Sequence, residues 1–297
     1  MQRIRKAVIP AAGFGTRLLP FTKTVPKGMV PIVATPVIHY IVESAVDAGI
    51  EEIVLVTSAN GKALEDYFDR TPELEHALER QGKTRLLEEM RRIAEMADIM
   101  YVRQKEQLGN GHAVLAASAA VGDEPFAVLW GDDILLGDPP VVKQLMDVAL
   151  EHDGPVVGVR RVPEADFEKY GMLDVEQLPG NPRVMRALSV VEKPGPGEAP
   201  SDLAQIGGFV LTPDVFGILR SLRPAKGGEI WLADALVELM RRRPVFACEF
   251  TGSRYDAGNK LDFLRATVEL ALRDPEIGPA FRTYLVSLGL ESRASAT

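Results

Sequence analysis

Apolar runs alternate with amphipathic segments along the first half of the chain. Four apolar runs have strand length and lie at residues 6–10, 53–57, 99–102 and 126–130. Between the first two, apolar side chains recur at helical spacing from residue 36 to 46, and Gly49 follows where a left-handed C-cap belongs. Strand, helix and strand in this order form a βαβ unit, which predicts a parallel sheet covered by helices on both faces.

The second half of the chain has a different pattern. Residues 170–211 carry shorter β-like runs interrupted by Pro and Gly turns, which predicts a smaller lobe, at least partly antiparallel, laid against the first. No repeat or low-complexity linker separates the two lobes, so we expect one compact body. Helices are predicted at residues 62–96, 111–120, 140–151, 213–222, 230–242, 260–272 and 279–288, and further strands at 155–159 and 245–251.

Composition narrows the possible functions. The chain has 297 residues with a formal net charge of −8, and its basic cluster at 241–243 closes a predicted helix. An acidic total argues against nucleic-acid binding.

The single cysteine, Cys248, lies in an alternating run and is interpreted as a small buried residue. No window reaches the roughly 18 apolar residues of a membrane span, and residues 1–10 lack a signal-peptide pattern, so we expect a cytoplasmic protein with no membrane partner.

The first candidate site is the loop that follows the first strand, residues 11–17. Its two glycines let the backbone approach a ligand, and successive amides can bind an anion. Ligands of open parallel sheets bind beyond the carboxyl ends of the strands, where this loop lies. Arg17 and Lys27 add cations for a phosphate. Leu18 breaks the dinucleotide-binding fingerprint and the Gly-Lys-Ser/Thr end of a P-loop is missing, but a purely structural glycine turn stays an alternative.

Acidic residues at strand ends form the second candidate. Asp132 and Asp133 follow the apolar run at 126–130, and Asp256 follows another predicted strand, so their carboxylates should reach the rim of the sheet. Mg²⁺ prefers one or two carboxylates together with phosphate oxygens and water. The pair is therefore a candidate magnesium site, with Asp256 as a second ligand; a helix cap or turn is the alternative.

A third candidate is the segment 190–194, which contains Glu192 and Lys193. The carboxylate could bind two sugar hydroxyls and the ammonium a phosphate. Because neighbouring residues of a strand point to opposite faces, both reach one ligand only if the strand ends or twists there. An exposed ion pair is the alternative. His112 lies beside glycine-rich backbone and is expected to have a structural role.

Together these motifs resemble the bacterial UTP–glucose-1-phosphate uridylyltransferases over residues 5–285. The matching segments are residues 11–20, 26–27, Gln104, 108–114, 131–133, 170–171, 191–194 and 256–260, with a stretch at 67–87 typical of the uridylyl branch. The resemblance implies a three-layer α/β/α sandwich of the nucleotide-diphospho-sugar transferase type, with a mostly parallel central sheet and a smaller β-rich sugar-binding lobe. It also implies a homodimer or homotetramer.

The resemblance implies one domain and a role for each matching position. The domain would cover residues 1–290, with a nucleotide-binding half at about 1–160, a sugar-binding half at 161–260, C-terminal helices at 261–290 and a frayed tail at 291–297. The expected catalytic residues are Arg17, Lys27 and Lys193, and the expected Mg²⁺ ligands are Asp132 and Asp256. The expected nucleotide-binding residues are Ala11, Ala12, Gly13, Gly15, Thr16, Gln104 and Gly109. The expected sugar-binding residues are Gly171, Glu192 and Gly207.

The resemblance further implies that UTP and glucose 1-phosphate react to give UDP-glucose and pyrophosphate. The attacking phosphate is already ionised near neutral pH, since the second pKa of a phosphomonoester is about 6, so no general base is needed. The chain departs from the family pattern at Gly28, Thr35, His39 and Trp231, where an acidic residue, Lys, Gln and Gln are expected. Two alternatives therefore stay open: a thymidylyl- or other nucleotidyltransferase, and a non-catalytic paralogue that binds nucleotide sugars.

Overall fold

The computed structural model describes residues 1–59, 61–224 and 227–289, and the predicted tail at 291–297 lies outside these ranges. The strands are β1 (Lys6–Pro10), β2 (Pro31–Ile32), β3 (Thr35–Pro36), β4 (Glu52–Thr57), β5 (Asp98–Arg103), β6 (Phe126–Val128), β7 (Asp133–Leu136), β8 (Val156–Arg161), β9 (Gly171–Gln177), β10 (Val184–Glu192), β11 (Leu203–Leu211), β12 (Val245–Glu249) and β13 (Ser253–Asp256). The helices are α1 (Val37–Asp47), α2 (Lys62–Phe68), α3 (Pro72–Arg80), α4 (Thr84–Ala94), α5 (Asn110–Ala116), α6 (Ser118–Val121), α7 (Val141–His152), α8 (Asp214–Ser221), α9 (Leu232–Arg242), α10 (Lys260–Arg273) and α11 (Gly278–Ser287).

Within the described ranges, nine strands form one central sheet in the order β5-β4-β1-β6-β11-β8-β12-β10-β9. Strands β11 and β10 run antiparallel to their neighbours, and the other seven share one direction, so the sheet is mostly parallel as predicted. The partly antiparallel second half is also confirmed. Its strands nevertheless extend the same sheet, because β11 pairs with both β6 and β8.

In the described part of the chain, the two largest of three hydrophobic clusters cover opposite faces of this sheet. The alternation of β1 shows the division: Ala7 and Ile9 pack into a core with α1 and α7, whereas Val8 packs into a core with α5, α8 and α9. Because successive side chains of a strand point to opposite faces, one apolar run supplies both cores. The predicted three-layer α/β/α sandwich is confirmed.

The predicted helical stretch at 62–96 is three helices, α2, α3 and α4. Pro72 begins α3, and Gly82, with φ +66°, ends the turn that follows it. The buried Glu75 of α3 accepts hydrogen bonds from Arg70 at 2.9 Å and from Arg91 of α4 at 3.1 Å. The hydrogen bond from Arg70, with that from Arg91, lowers the pKa of Glu75 to about 2. The Glu75 carboxylate therefore links α3 and α4, which lie within one helical stretch in the prediction from periodicity.

A two-stranded ribbon lies outside the main sheet. The apolar run at 126–130 ends as a strand at Val128, and the chain turns through residues 129–132 into β7. Strand β7 pairs antiparallel with β13, with Asp133 opposite Asp256. The ribbon thus brings together two acidic segments that are more than 100 residues apart in sequence. No helix in the described part of the chain is long and apolar enough to cross a membrane.

Candidate active site

Two clefts open at the carboxyl ends of the parallel strands. The first has a volume of about 490 Å³ and is lined by the loop after β1 and by Gln104. The second has a volume of about 620 Å³ and is lined by carboxylates and cations from later strand ends, among them Asp132 and Lys193. The first loop contributes to both clefts, because Thr16 lines the first and Arg17 the second.

The loop after β1 has the close-packed backbone that its glycines predicted. Gly15 has φ +63°, a region that side chains disfavour, and a Cβ there would lie 3.0 Å from atoms of both Thr22 and Lys27. The Thr22 hydroxyl donates a hydrogen bond to the carbonyl of Gly15 at 2.8 Å. At Gly13 a Cβ would lie 3.6 Å from Cε of Lys27. The lysine side chain therefore lies against the loop, whereas Ala11 and Ala12 are buried.

Arg17 and Lys27 converge on two carboxylates. The Lys27 ammonium lies 2.6 Å from Oδ2 of Asp132. The Arg17 guanidinium donates to Oδ2 of Asp256 at 2.9 Å and lies 3.8 Å from Oδ2 of Asp132. We call these four residues the charge cluster. It brings Arg17 of the first loop and Lys27 together with the two predicted metal ligands. Lys193 is outside these contacts but lines the same 620 Å³ cleft.

The β7–β13 ribbon explains why the two carboxylates meet. The amide of Ala257 donates to the carbonyl of Asp132 at 2.8 Å, and the amide of Gly258 donates to Oδ1 of Asp256 at 2.8 Å. A Cβ on Gly258 would lie 2.9 Å from Oδ1 of Asp256 and 3.0 Å from Oδ2 of Asp132. Both carboxylates therefore border one small space, which glycine leaves open and into which Arg17 projects.

The two adjacent aspartates have different environments. Burial opposes ionisation of Asp132, but the Lys27 ammonium, with Arg17 and Arg254, outweighs it and lowers the pKa of Asp132. Burial raises the pKa of Asp133 to about 6, although Arg254 donates to it at 2.7 Å. Asp132 therefore has the lower pKa of the two and belongs to the charge cluster, whereas Asp133 is paired with Arg254.

Gln104 and Gly109 meet at the end of the first cleft. The Gln104 amide nitrogen lies 3.1 Å from the Gly109 carbonyl and 3.1 Å from Nδ1 of His112. Gly109 has φ +95°, and a Cβ there would lie 2.7 Å from the carbonyl of Ile230. The loop that begins α5 is thus fixed against the segment before α9. His112 contacts Gln104 rather than the charge cluster, in agreement with a structural role.

The predicted sugar-binding residues lie on three strands: Gly171 begins β9, Glu192 ends β10 and Gly207 lies within β11. Gly171 pairs with Glu192 across β9 and β10, and a Cβ on Gly171 would lie 2.9 Å from Oε2 of Glu192 and 3.4 Å from Oε1 of Gln205. Gly207, with φ +92°, lies in a bulge of β11 against Phe250, where a Cβ would overlap the ring. Oε1 of Gln205 is buried and accepts no hydrogen bond from the described residues.

Lys193 leaves the β-conformation, so Glu192 and Lys193 need not point to opposite faces as neighbours within a strand do. Its φ is +47°, in the left-handed region, so the alternation of β10 ends at Glu192. Both side chains consequently line the 620 Å³ cleft. Burial raises the pKa of Glu192, and the neighbouring ammonium opposes this shift.

Sequence reasoning missed Arg254 and the contact of Trp231. Arg254 donates to Asp133 and, at 3.1 Å, to the hydroxyl of Tyr170. It stands two residues before Asp256 in a strand, so the period of two could have placed both on one face. The Trp231 ring lies under the Lys193 ammonium, 4.7 Å from nitrogen to ring centroid. No local pattern signals this contact.

Gly28, a departure from the family pattern, is buried beneath the charge cluster. A Cβ there would lie 3.3 Å from Leu64, 3.4 Å from the carbonyl of Gly131 and 3.5 Å from Ile38. A side chain at this position would therefore begin in packed surroundings and not in either cleft.

Comparison with known proteins decides the family. Residues 6–272 match the nucleotidyl transferase family over most of the chain. The chain belongs to this nucleotidyl transferase family. A UTP–glucose-1-phosphate uridylyltransferase of Staphylococcus epidermidis is 48% identical over 290 residues, which cover 98% of this chain and 100% of that relative. The resemblance to the bacterial UTP–glucose-1-phosphate uridylyltransferases, which the motifs indicate, is confirmed.

Solved structures agree with this nucleotidyl transferase assignment. A UTP-bound UGPase from Acinetobacter baumannii is 38% identical, with a TM-score of 0.89, and the match covers 96% of this chain and 99% of the other. A UDP-glucose pyrophosphorylase complexed with UDP-glucose is 40% identical, with a TM-score of 0.82, over 91% of this chain and all of the other. The architecture, which periodicity and motif order predicted, is that of these enzymes.

Proposed function

We propose that the chain joins UTP and glucose 1-phosphate to give UDP-glucose and pyrophosphate. The observation that carries this proposal is a pair of clefts, about 490 Å³ and 620 Å³, that share the loop after β1, with Arg17, Asp132 and Asp256 of the charge cluster lining the second. A reaction between two phosphorylated substrates needs this arrangement: one cleft for each substrate and opposite charges where they meet. The names of the relatives, which specify UTP and glucose 1-phosphate, support the choice of substrates.

The first cleft suits the nucleotide. Backbone amides of residues 12–16 would hold the triphosphate, and Gln104 and Gly109 would meet the base. The second cleft suits the sugar: Glu192 lines it, and Gly171 packs against that carboxylate, so Gly171, Glu192 and Gly207 would bind the sugar. The unpaired acceptor of Gln205 supports this assignment, because a buried acceptor is stabilised by a ligand rich in hydroxyl donors.

Asp132 and Asp256 would hold Mg²⁺. Their fit rests on the shared space beside Gly258, which lies about 3 Å from an oxygen of each carboxylate; the Arg17 guanidinium now occupies this space and would have to leave it. Within the described residues, no three His, Cys, Asp or Glu side chains form a metal-binding group, and Mg²⁺ needs only one or two carboxylates when phosphate oxygens complete its shell. When bound, the metal would neutralise charge that develops on the phosphates. Arg17 and Lys27 would then exchange carboxylate partners for phosphate oxygens.

The side chains would act by position and charge. Lys193 would hold the phosphate of glucose 1-phosphate at the mouth of the second cleft, and Arg17 and Lys27 would hold the triphosphate for in-line attack at its α-phosphorus. The attacking oxygen is already ionised near neutral pH, because its pKa is about 6. No proton has to be removed from it, so the protein has to overcome the repulsion between two anions.

A pyrophosphate-release assay over a panel of nucleoside triphosphates and sugar 1-phosphates tests the proposal. We expect the fastest release with UTP, glucose 1-phosphate and Mg²⁺, and loss of most of it in Asp132→Asn. The matched control is Asp147→Asn, which removes an exposed carboxylate paired with Lys143 and should keep full activity. Faster turnover of another substrate pair would refute the substrate assignment, and no release with any pair by the folded protein would refute catalysis.

Location and assembly belong to the same proposal. We expect the protein to act in the cytoplasm, because its proposed substrates are multiply charged and cross apolar barriers poorly. The homodimer or homotetramer implied by the resemblance stays a prediction. Light scattering of the purified protein at assay concentration tests it, and a monomer mass would contradict it.

A further inference from the structure

The strongest contact that the proposed reaction leaves unexplained is the one between Lys193 and Trp231. The ammonium lies 4.7 Å from the centroid of the ring and 3.9 Å from Oε1 of Glu192. We propose that Trp231 is a positioning residue, whose ring holds the Lys193 ammonium at the place where the phosphate of the sugar substrate binds. This inference rests on the proposed function, which assigns Lys193 to that phosphate.

Lys193 needs such a support. Its side chain is 52% exposed, and a lysine with four rotatable bonds loses conformational entropy when it is fixed. The nearest competing partner is Glu192, and a closer ion pair would occupy the carboxylate expected to bind sugar hydroxyls. An aromatic face attracts the ammonium without being a charged competitor, so both side chains stay available to the substrate.

The backbone on both sides of Trp231 is held by Leu108 and by the first two residues of α5. The Ile230 amide donates to the carbonyl of Leu108 at 2.7 Å, and the Gly111 amide donates to the carbonyl of Ile230 at 2.9 Å. The Leu232 amide donates to Oδ1 of Asn110 at 2.9 Å. These three hydrogen bonds hold Ile230 and Leu232, so the Trp231 ring between them has a fixed position beside the flexible Lys193 side chain.

Folding stability alone does not explain a tryptophan at this position. Its Nε1 is buried, and within residues 1–59, 61–224 and 227–289 no acceptor lies in hydrogen-bonding distance. An unpaired buried donor destabilises a protein, and a phenylalanine would avoid it. Tryptophan is, however, the aromatic residue that attracts a cation most strongly. The residue thus fits a role towards Lys193 better than a role in packing.

Steady-state kinetics of three variants test the role. Trp231→Leu should raise KM for glucose 1-phosphate about 2- to 30-fold, the range of cation–π contacts from exposed to desolvated sites, with a smaller change in kcat. Trp231→Phe keeps a ring and should recover most of this loss, with a Tm at least equal to that of the parent. KM for UTP should stay within about 2-fold in both, because Trp231 lines neither cleft directly.

The combination with Lys193→Met separates positioning from general packing. In that background Trp231→Leu should cause no further rise in KM, because the cation is already absent. An equal rise in both backgrounds, or an equal rise in KM for UTP, would overturn the inference. If a folded Trp231→Leu protein kept the parent's KM for glucose 1-phosphate, the positioning role of Trp231 would be refuted and the proposed function would be unaffected. No pyrophosphate release by the parent protein would remove the proposed function and this inference together.

Discussion

Replacing Lys27 with Met and Asp132 with Asn, singly and together, tests whether the charge cluster is shielded from solvent. Nζ and Oδ2 are 2.6 Å apart, and the two side chains are only 18% and 13% exposed. A charge-assisted hydrogen bond contributes about 1.5–3 kcal/mol. We expect each single variant to lower the free energy of unfolding by about this amount, and the double-mutant cycle to give a coupling energy of about 1.5–3 kcal/mol.

Urea unfolding of the ligand-free protein at pH 7, with and without 0.5 M KCl (a concentration that screens exposed charges), measures this coupling. The matched control is the exposed pair Lys62 and Asp66 on α2, whose coupling should be much weaker because solvent screens it. Because the pKa of Asp132 is lowered on folding, its contribution should be present above about pH 4 and disappear as the pH falls through the folded pKa. A coupling no larger than that of the control would refute a shielded cluster, and with it the electrostatic mechanism.

Three further predictions concern other parts of the chain. Glu75→Gln should lower stability at neutral pH, and its difference from the parent should shrink between about pH 4.5 and about pH 2 in urea titrations, because two arginines hold the pKa of Glu75 at about 2. Gly207→Ala should lower stability by about 1–3 kcal/mol, because a Cβ overlaps Phe250 at a positive φ, whereas Gly217→Ala in α8 has free space and should not destabilise. Cys248, buried with its pKa raised to about 11, should react with a thiol reagent at pH 8 only after unfolding; rapid native-state reaction would contradict this.

Local sequence signals predicted most of the parallel half of the fold. The apolar run at 6–10 coincides with β1, and the run at 53–57 differs from β4 by one residue. The place of β11 between β6 and β8 was not predictable in this way, because strand partners distant in sequence leave no local periodicity. The merged prediction at 62–96 was avoidable, since Pro72 and Gly82 are breakers in the sequence itself.

The site was predictable where a motif fixes the backbone and not where tertiary contacts decide. The predicted convergence of Arg17 and Lys27 with the strand-end carboxylates Asp132 and Asp256 agrees with the structure, and the roles of these side chains stay predictions. The left-handed conformation of Lys193 was not predictable, because a lysine has no intrinsic preference for it. The contact between Lys193 and the Trp231 ring was equally unpredictable, since the two residues are distant in sequence.

The short ribbon of β7 and β13 has a consequence for how substitutions affect this enzyme. Four facing pairs, from Asp133 opposite Asp256 to Leu136 opposite Ser253, set the alignment of the proposed metal ligands. A slip of one residue would turn Asp256 to the opposite side of its strand. Changes that loosen the ribbon, for instance at Gly252, should therefore abolish turnover while the nine-stranded sheet and its melting behaviour stay nearly intact. Loss of activity in a well-folded variant does not by itself mark the altered residue as one that touches a substrate.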